Sequence, residues 1–123
     1  MRPEVGRLAE DSGALLAVAG SATPDGRFAV LRLAFEAGAL EFTCDDDTDE
    51  VAVAVADGGH AYPEITSGAL PGLVGLAIEY AWELRNHRGY VDAVQLRLRD
   101  GDGREETVQL EVAASAMDVR RVT

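Results

Sequence analysis

The chain has 123 residues, of which 47% are hydrophobic and 27% charged, and 22 Asp and Glu against 11 basic residues give it a net charge of −11. The length predicts a single domain over residues 1–123, and the composition excludes a disordered or fibrous protein. The negative charge opposes binding to nucleic acid and to anionic membranes, so a basic protein or a cation is the favoured partner.

The compartment is predicted from the cysteine count and from one apolar run. Cys44 is the only cysteine, which excludes an internal disulfide and is typical of a reducing compartment. The apolar run 13–20 follows a segment with more acids than arginines, whereas an export signal requires positive charge. We therefore expect a cytoplasmic protein.

The first half of the chain predicts a short helix followed by strands. Residues 3–12 favour a helix with Leu8 pointing inward. Period-two apolar residues and turn-type connections then predict strands at 15–19, 28–35, 40–44 and 51–55. Residues 57–70 favour a long loop, and 70–74 a turn of helix.

The second half predicts a three-stranded antiparallel meander over residues 76–114. In its first strand alternate residues are large and apolar, and we expect them to share the buried face: Leu76, Ile78, Tyr80, Trp82 and Leu84. Two Gly-containing turns separate the strands, and such short connections make neighbouring strands antiparallel. The fold class is mainly β, with α+β as an alternative: a meander of about seven strands curled as a half-barrel or a two-layer sandwich, with one or two short helices.

The run at 45–50 places five carboxylates in six residues where a turn is expected: Asp45, Asp46, Asp47, Asp49 and Glu50. Dense carboxylates suit a hard cation, but the spacing does not fit a calcium-binding loop. The ordinary interpretation is a solvated turn that caps backbone amides. The functional interpretation that we prefer is a contact surface for a basic partner, which the charge would steer.

Two of the three tyrosines and the only tryptophan lie within 11 residues on two paired strands: Tyr80, Trp82 and Tyr90. The simplest interpretation is a core cluster, because aromatic side chains dominate core burial. Asp92 is expected to share a face with Val94, whereas Glu83 lies on the other face. An inward carboxylate needs a partner and would line a small pocket. Asn86 is expected to shape the hairpin turn.

No residue pattern predicts a catalytic or metal site. His60 and His87 are far apart and have no metal ligand at a suitable spacing. The Gly-rich segment 68–75 lacks the ending of a phosphate-binding loop, and no nucleophile elbow occurs. No cofactor is predicted.

The acidic string at 46–50, together with the string from Trp82 through Asn86, Tyr90 and Asp92 to Leu96, resembles a family of small bacterial proteins known as a domain of unknown function. The resemblance covers residues 13–123, and the family often has Trp where this chain has Tyr80. It implies no activity. It does imply that the acidic turn and the Trp82 hairpin belong together.

These observations favour a non-catalytic interaction module over an enzyme. The partner surface is predicted to combine the acidic run with residues of the later hairpin: Trp82, Glu83, Asn86, Tyr90 and Asp92. Size and charge are similar to those of small acidic immunity proteins that bind basic toxins. The alternatives are a small-ligand or divalent-cation site with hydrolytic activity, and a homodimer formed through an exposed sheet edge.

Overall fold

The computed structural model describes residues 1–45, 47–56 and 61–122. They form eight strands, one α-helix and one short 3₁₀ helix. The elements are α1 Pro3–Glu10, β1 Leu15–Ala22, β2 Phe28–Phe35, β3 Gly38–Asp45, β4 Glu50–Val55, the 3₁₀ helix Pro71–Leu73, β5 Ala77–Arg85, β6 Val91–Arg99, β7 Glu105–Ala113 and β8 Ala116–Val122. The predicted mainly β class is confirmed.

The strands form two antiparallel meanders that join into one sheet. The sheet order is β4-β3-β2-β8-β7-β6-β5, and β1 pairs with β2 beside this path. Strands β2 and β8 join the two meanders through the pair Phe28 and Met117, and an isolated bridge between Ala14 and Ala77 also links the start of β1 to β5. The sheet curls into a half-barrel, as predicted, and its concave side holds the core.

Helix α1 closes the open side of the half-barrel. The helix begins with Pro3, whose fixed φ suits the first helical position. Val5 and Ala9 are buried one turn apart, and Leu8 packs against the core as predicted. The helix contacts both β4 and β5, the two strands at the ends of the sheet. It therefore covers apolar surface that the curled sheet alone leaves open.

Strand β8 was not among the predicted strands. The turn that precedes it contains Ala114 and Ser115, which have φ of 50° and 64°. Left-handed turn positions usually hold Gly, Asn or Asp, so the sequence carries no hairpin signal here. Met117 and Val119 nevertheless face the core, while Asp118 and Arg120 point to solvent.

The predicted burial of the aromatic residues on β5 is wrong. Ile78 pairs with Leu98 on β6, but Tyr80 pairs with the adjacent Arg97, so Glu79 is an extra residue in a β-bulge. A bulge of one residue reverses the alternation of the strand. Leu76 and Ile78 are buried as predicted, whereas Tyr80 and Trp82 are 54% and 40% exposed.

The segment before β5 agrees with its prediction where the structure describes it. Residues 61–70 contain no helix or strand apart from a bridge between Glu64 and Ala19, and the predicted helical turn is the 3₁₀ helix. Residues 57–60 of the predicted loop, including His60, lie outside the described residues.

The exposure of Trp82 predicts that its removal has little effect on stability. We expect Trp82→Ser to lower the free energy of unfolding by less than about 1 kcal/mol, as is usual for surface substitutions. Phe42, which is fully buried, serves as the comparison, since Phe42→Ala should cost about 3–5 kcal/mol. Urea unfolding followed by circular dichroism measures both. A loss for Trp82→Ser as large as that for Phe42→Ala would place Trp82 in the core.

Candidate functional site

The outer face of β5 to β8 carries an exposed aromatic pair. The rings of Tyr80 and Trp82 stack with centroids 5.4 Å apart and an interplanar angle of 25°. The bulge at Glu79 places both side chains on the convex side of the sheet. The rings contact each other and remain exposed to solvent, so the aromatic pair is an exposed apolar surface.

A ladder of polar side chains crosses the same face next to Trp82. Trp82 is in register with Gln95 on β6, and Gln95 with Gln109 on β7. Gln95 Nε2 donates to Gln109 Oε1 at 2.6 Å, and Gln109 Nε2 donates to Glu111 Oε1. Arg120 on β8 donates to that same oxygen through its Nε at 2.9 Å and its Nη2 at 2.7 Å. These bonds fix the Glu111 carboxylate in one orientation.

Arginines and carboxylates are matched on this face beside Tyr80. Arg97 Nη2 donates to Glu105 Oε2 at 2.7 Å, and its Nε lies 3.8 Å from Glu79 Oε2. The hydrogen bond between Arg97 and Glu105 raises the pKa of Arg97 and lowers the pKa of Glu105. Arg99 Nη1 also lies 3.6 Å from Glu79 Oε1, so two arginines match the two carboxylates beside Tyr80, in a chain of net charge −11.

Asp92 occupies a second bulge, near the start of β6. Leu84 pairs with Ala93 and Arg85 pairs with Val91, so Asp92 is the extra residue. It does not share the buried face of Val94 as predicted. Instead it lines a depression of about 350 Å³ on the outer face, together with Leu84, Ala93, Gln109, Glu111 and Val112. This depression opens to solvent and is not the inward pocket that the predicted orientation of Asp92 implied.

The acidic turn, residues 45–50, connects β3 to β4. Asp45 Oδ1 accepts hydrogen bonds from the backbone N–H groups of Asp47 at 2.9 Å and Thr48 at 3.4 Å. Asp45 and Asp47 are exposed. In the part of the turn that the structure describes, no carboxylate forms a salt bridge with an arginine. Asp46 lies outside the described residues.

Two carboxylates of the acidic turn tie it to other hairpins. Glu50 Oε2 accepts a hydrogen bond at 3.0 Å from the N–H of Val91, at the start of β6. Asp49 Oδ1 accepts one at 3.0 Å from the N–H of Ser115, in the turn between β7 and β8. The acidic turn and the Trp82 hairpin thus meet at one end of the sheet, through Glu50 and not through Trp82.

The hairpin turn is built by Asn86, as predicted. Its Oδ1 accepts hydrogen bonds from the backbone N–H groups of Arg88 at 2.9 Å and Tyr90 at 3.2 Å. Gly89 has φ of 84°, a conformation that favours glycine. The turn leaves Tyr90 39% exposed, and the carboxylate of Glu83 pairs with the amino group of Met1. Asn86 and Glu83 thus have structural partners, whereas Tyr90 presents a ring to solvent.

The site includes residues that the predicted set lacks. Tyr80, Gln95, Gln109 and Glu111 were not predicted as site residues, although polar residues at alternate positions of β6 and β7 indicated a solvated face opposite Trp82. Among the residues that the structure describes, no group of three His, Cys, Asp or Glu side chains is placed to hold a metal ion.

The chain was compared with known families, curated proteins and solved structures. A family model described as a family of unknown function, DUF6334, matches residues 9–123. The chain belongs to this family. The match confirms the predicted resemblance, and it covers both the acidic turn and the Trp82 hairpin of this DUF6334 chain. Neither the search of curated proteins nor that of solved structures finds a match.

Within residues 1–45, 47–56 and 61–122, no helix has the length and apolar character needed to cross a membrane.

The bond between Glu50 and Val91 predicts a measurable coupling between the acidic turn and the hairpin. We expect Glu50→Ala to lower the free energy of unfolding by about 1–2 kcal/mol, because the Val91 N–H loses its acceptor. Glu50→Gln keeps an amide oxygen at that position and should cost less than half as much. Urea denaturation of the three proteins measures both changes. Equal losses in the two variants would assign the effect to charge and not to the hydrogen bond.

Proposed function

We propose that this DUF6334 chain is a non-catalytic protein-interaction module that binds a basic protein through the outer face of β5 to β8. The observation that carries the proposal is the aromatic pair, because two large stacked rings stand exposed on a rigid sheet. Tyr and Trp are enriched among the residues that dominate binding energy at protein interfaces. They bury a large area and lose little rotamer freedom on binding.

The surroundings of the aromatic pair suit an interface. The strands that carry it are paired across the sheet, so binding does not require the backbone to become ordered. Around it lies a polar rim of matched charges and amides, with Arg97 on one side and Gln95 on the other. An apolar centre with a hydrogen-bonding rim is the usual anatomy of a protein interface.

The net charge of −11 selects the kind of partner. A strongly acidic surface repels other acidic proteins and accelerates the approach of basic ones. The acidic turn contributes exposed carboxylates that no arginine neutralises in the described residues, at the end of the same hairpin that carries Trp82. The partner is thus steered by charge and anchored on the aromatic pair. Small acidic immunity proteins that bind basic toxins use the same combination of size and charge.

The aromatic pair is tested with a fluorescently labelled nona-arginine peptide as a basic probe. We expect the double variant Tyr80→Ser and Trp82→Ser to weaken binding by at least about tenfold, because removing an interface anchor costs more than 1.4 kcal/mol. The matched control is Leu16→Ser, since Leu16 is 59% exposed on β1. Fluorescence anisotropy measures the dissociation constants. Equal affinity in the double variant and the control would remove the aromatic pair from the interface.

The acidic turn is tested by a pair of isosteric double variants with the same change in charge. Asp45→Asn with Asp47→Asn neutralises the acidic turn and preserves the Asp45 side-chain acceptor. Asp100→Asn with Asp102→Asn does the same in the turn between β6 and β7, where Asp100 Oδ1 also caps two backbone N–H groups.

We expect the first double variant to lower the association rate for nona-arginine about three- to tenfold at low salt, and the second to change it less than twofold. Stopped-flow anisotropy at about 20 and 200 mM salt measures the rates, and the difference should shrink at the higher salt. Equal effects of the two variants would mean that the association rate depends on the total charge of the protein and not on the position of the acidic turn.

A further inference from the structure

We infer that the depression beside Trp82 is a binding site for a single arginine side chain. The inference rests on the proposed function, since the arginine would belong to the basic partner. The depression measures about 350 Å³ and lies on the outer face between β5, β6 and β7. Its lining combines two carboxylates with an apolar wall, and each part of an arginine side chain finds a matching group there.

The two carboxylates are presented differently, and both have unused acceptor oxygens. The bulge in β6 turns Asp92 toward the depression, and the side chain has no hydrogen bond or salt bridge to another described residue. Asp92 is partly buried and its carboxylate oxygens are accessible to water, so both can accept hydrogen bonds from a ligand. Asp92 is therefore an acceptor that a cationic ligand would satisfy.

Glu111 is held in position by the protein. Arg120 and Gln109 both donate to its Oε1, so Oε2 has no donor among the described residues. A guanidinium group carries five N–H donors in a planar fork, which suits two separate carboxylates better than the compact ammonium of lysine does. Charge-assisted hydrogen bonds of this kind are about twice as strong as neutral ones.

The rest of the lining suits the aliphatic part of an arginine side chain. Leu84, Ala93 and Val112 provide apolar contact for the methylene groups. On the outer face, the pair Trp82 and Gln95 is the next one after the lining pair Leu84 and Ala93. The Gln95 amide donates a hydrogen bond to Gln109, which also lines the depression. The partner backbone that leads out of the depression on this side would pass over the aromatic pair, where its apolar groups find further contact.

The test uses Nα-acetyl-L-arginine amide as the probe, followed by heteronuclear NMR on the full chain. We expect saturable shifts of the Trp82 indole N–H and of the Gln95 and Gln109 side-chain amides, with a millimolar dissociation constant. The neutral isostere Nα-acetyl-L-citrulline amide should leave these signals unchanged. The lysine analogue should bind more weakly than the arginine analogue.

Asp92→Asn should weaken arginine binding by about fivefold or more, because it removes a charge-assisted hydrogen bond without changing the shape of the side chain. The matched control Asp102→Asn removes the same charge from an exposed turn and should change the affinity by less than about 1.5-fold.

Equal binding of arginine and citrulline analogues, or unchanged affinity in Asp92→Asn, would overturn the arginine site. The proposed function is judged separately by the nona-arginine peptide. If that peptide depends on Tyr80 and Trp82 while the arginine analogue does not bind, the arginine site fails and the interaction module stands. If the affinity for the peptide does not change in the double variant while the arginine analogue binds at Asp92, the interface at the aromatic pair fails and the arginine site stands.

Discussion

One extra residue in β5 determines which surface this protein shows to solvent. Before the bulge at Glu79, Leu76 and Ile78 point into the core. After it the inward positions are those of Ala81, which packs against the core, and Glu83, which is in register with the buried Val94. Tyr80 and Trp82 are consequently placed on the convex face, where their rings stack on each other. Without the bulge the same two side chains would compete for space inside the half-barrel, and the outer face would lack an apolar centre.

The second bulge complements the first. Glu79 is inserted in β5 and Asp92 in β6, so the register between the two strands is shifted near both ends of their pairing. The segment between the bulges carries Trp82 opposite Gln95, and the bulge at Asp92 leaves the depression at its end. Bulges often occur where a protein must re-aim a side chain. Here the bulge at Glu79 places Tyr80 and Trp82 on the outer face, and the bulge at Asp92 places its carboxylate on the same face.

The acidic turn shows that a run of like charges can have divided roles. Asp49 and Glu50 accept backbone hydrogen bonds from other hairpins and hold the end of the sheet together. Asp45 caps its own turn, and Asp47 extends into solvent. Mutual repulsion among the carboxylates is thus offset by backbone N–H groups, while the exposed part of the turn remains available to steer a basic partner.

The amino-acid sequence by itself determined seven of the eight strands that the structure describes, the short helix and the order of the hairpins, because side-chain alternation and turn residues act locally. It also indicated that Asn86 shapes a turn and that the chain resembles a family of unknown function. Strand β8 was not predicted, since Ala114 and Ser115 occupy the left-handed positions of the turn before it without a glycine. Only the tertiary structure decided that Trp82 is exposed, that Asp92 opens into a depression, and that Glu50 bonds to Val91. The reason is physical: a bulge is defined by the register between two strands, and hydrogen bonds between hairpins depend on how the whole sheet curls, so neither is encoded in the periodicity of one segment.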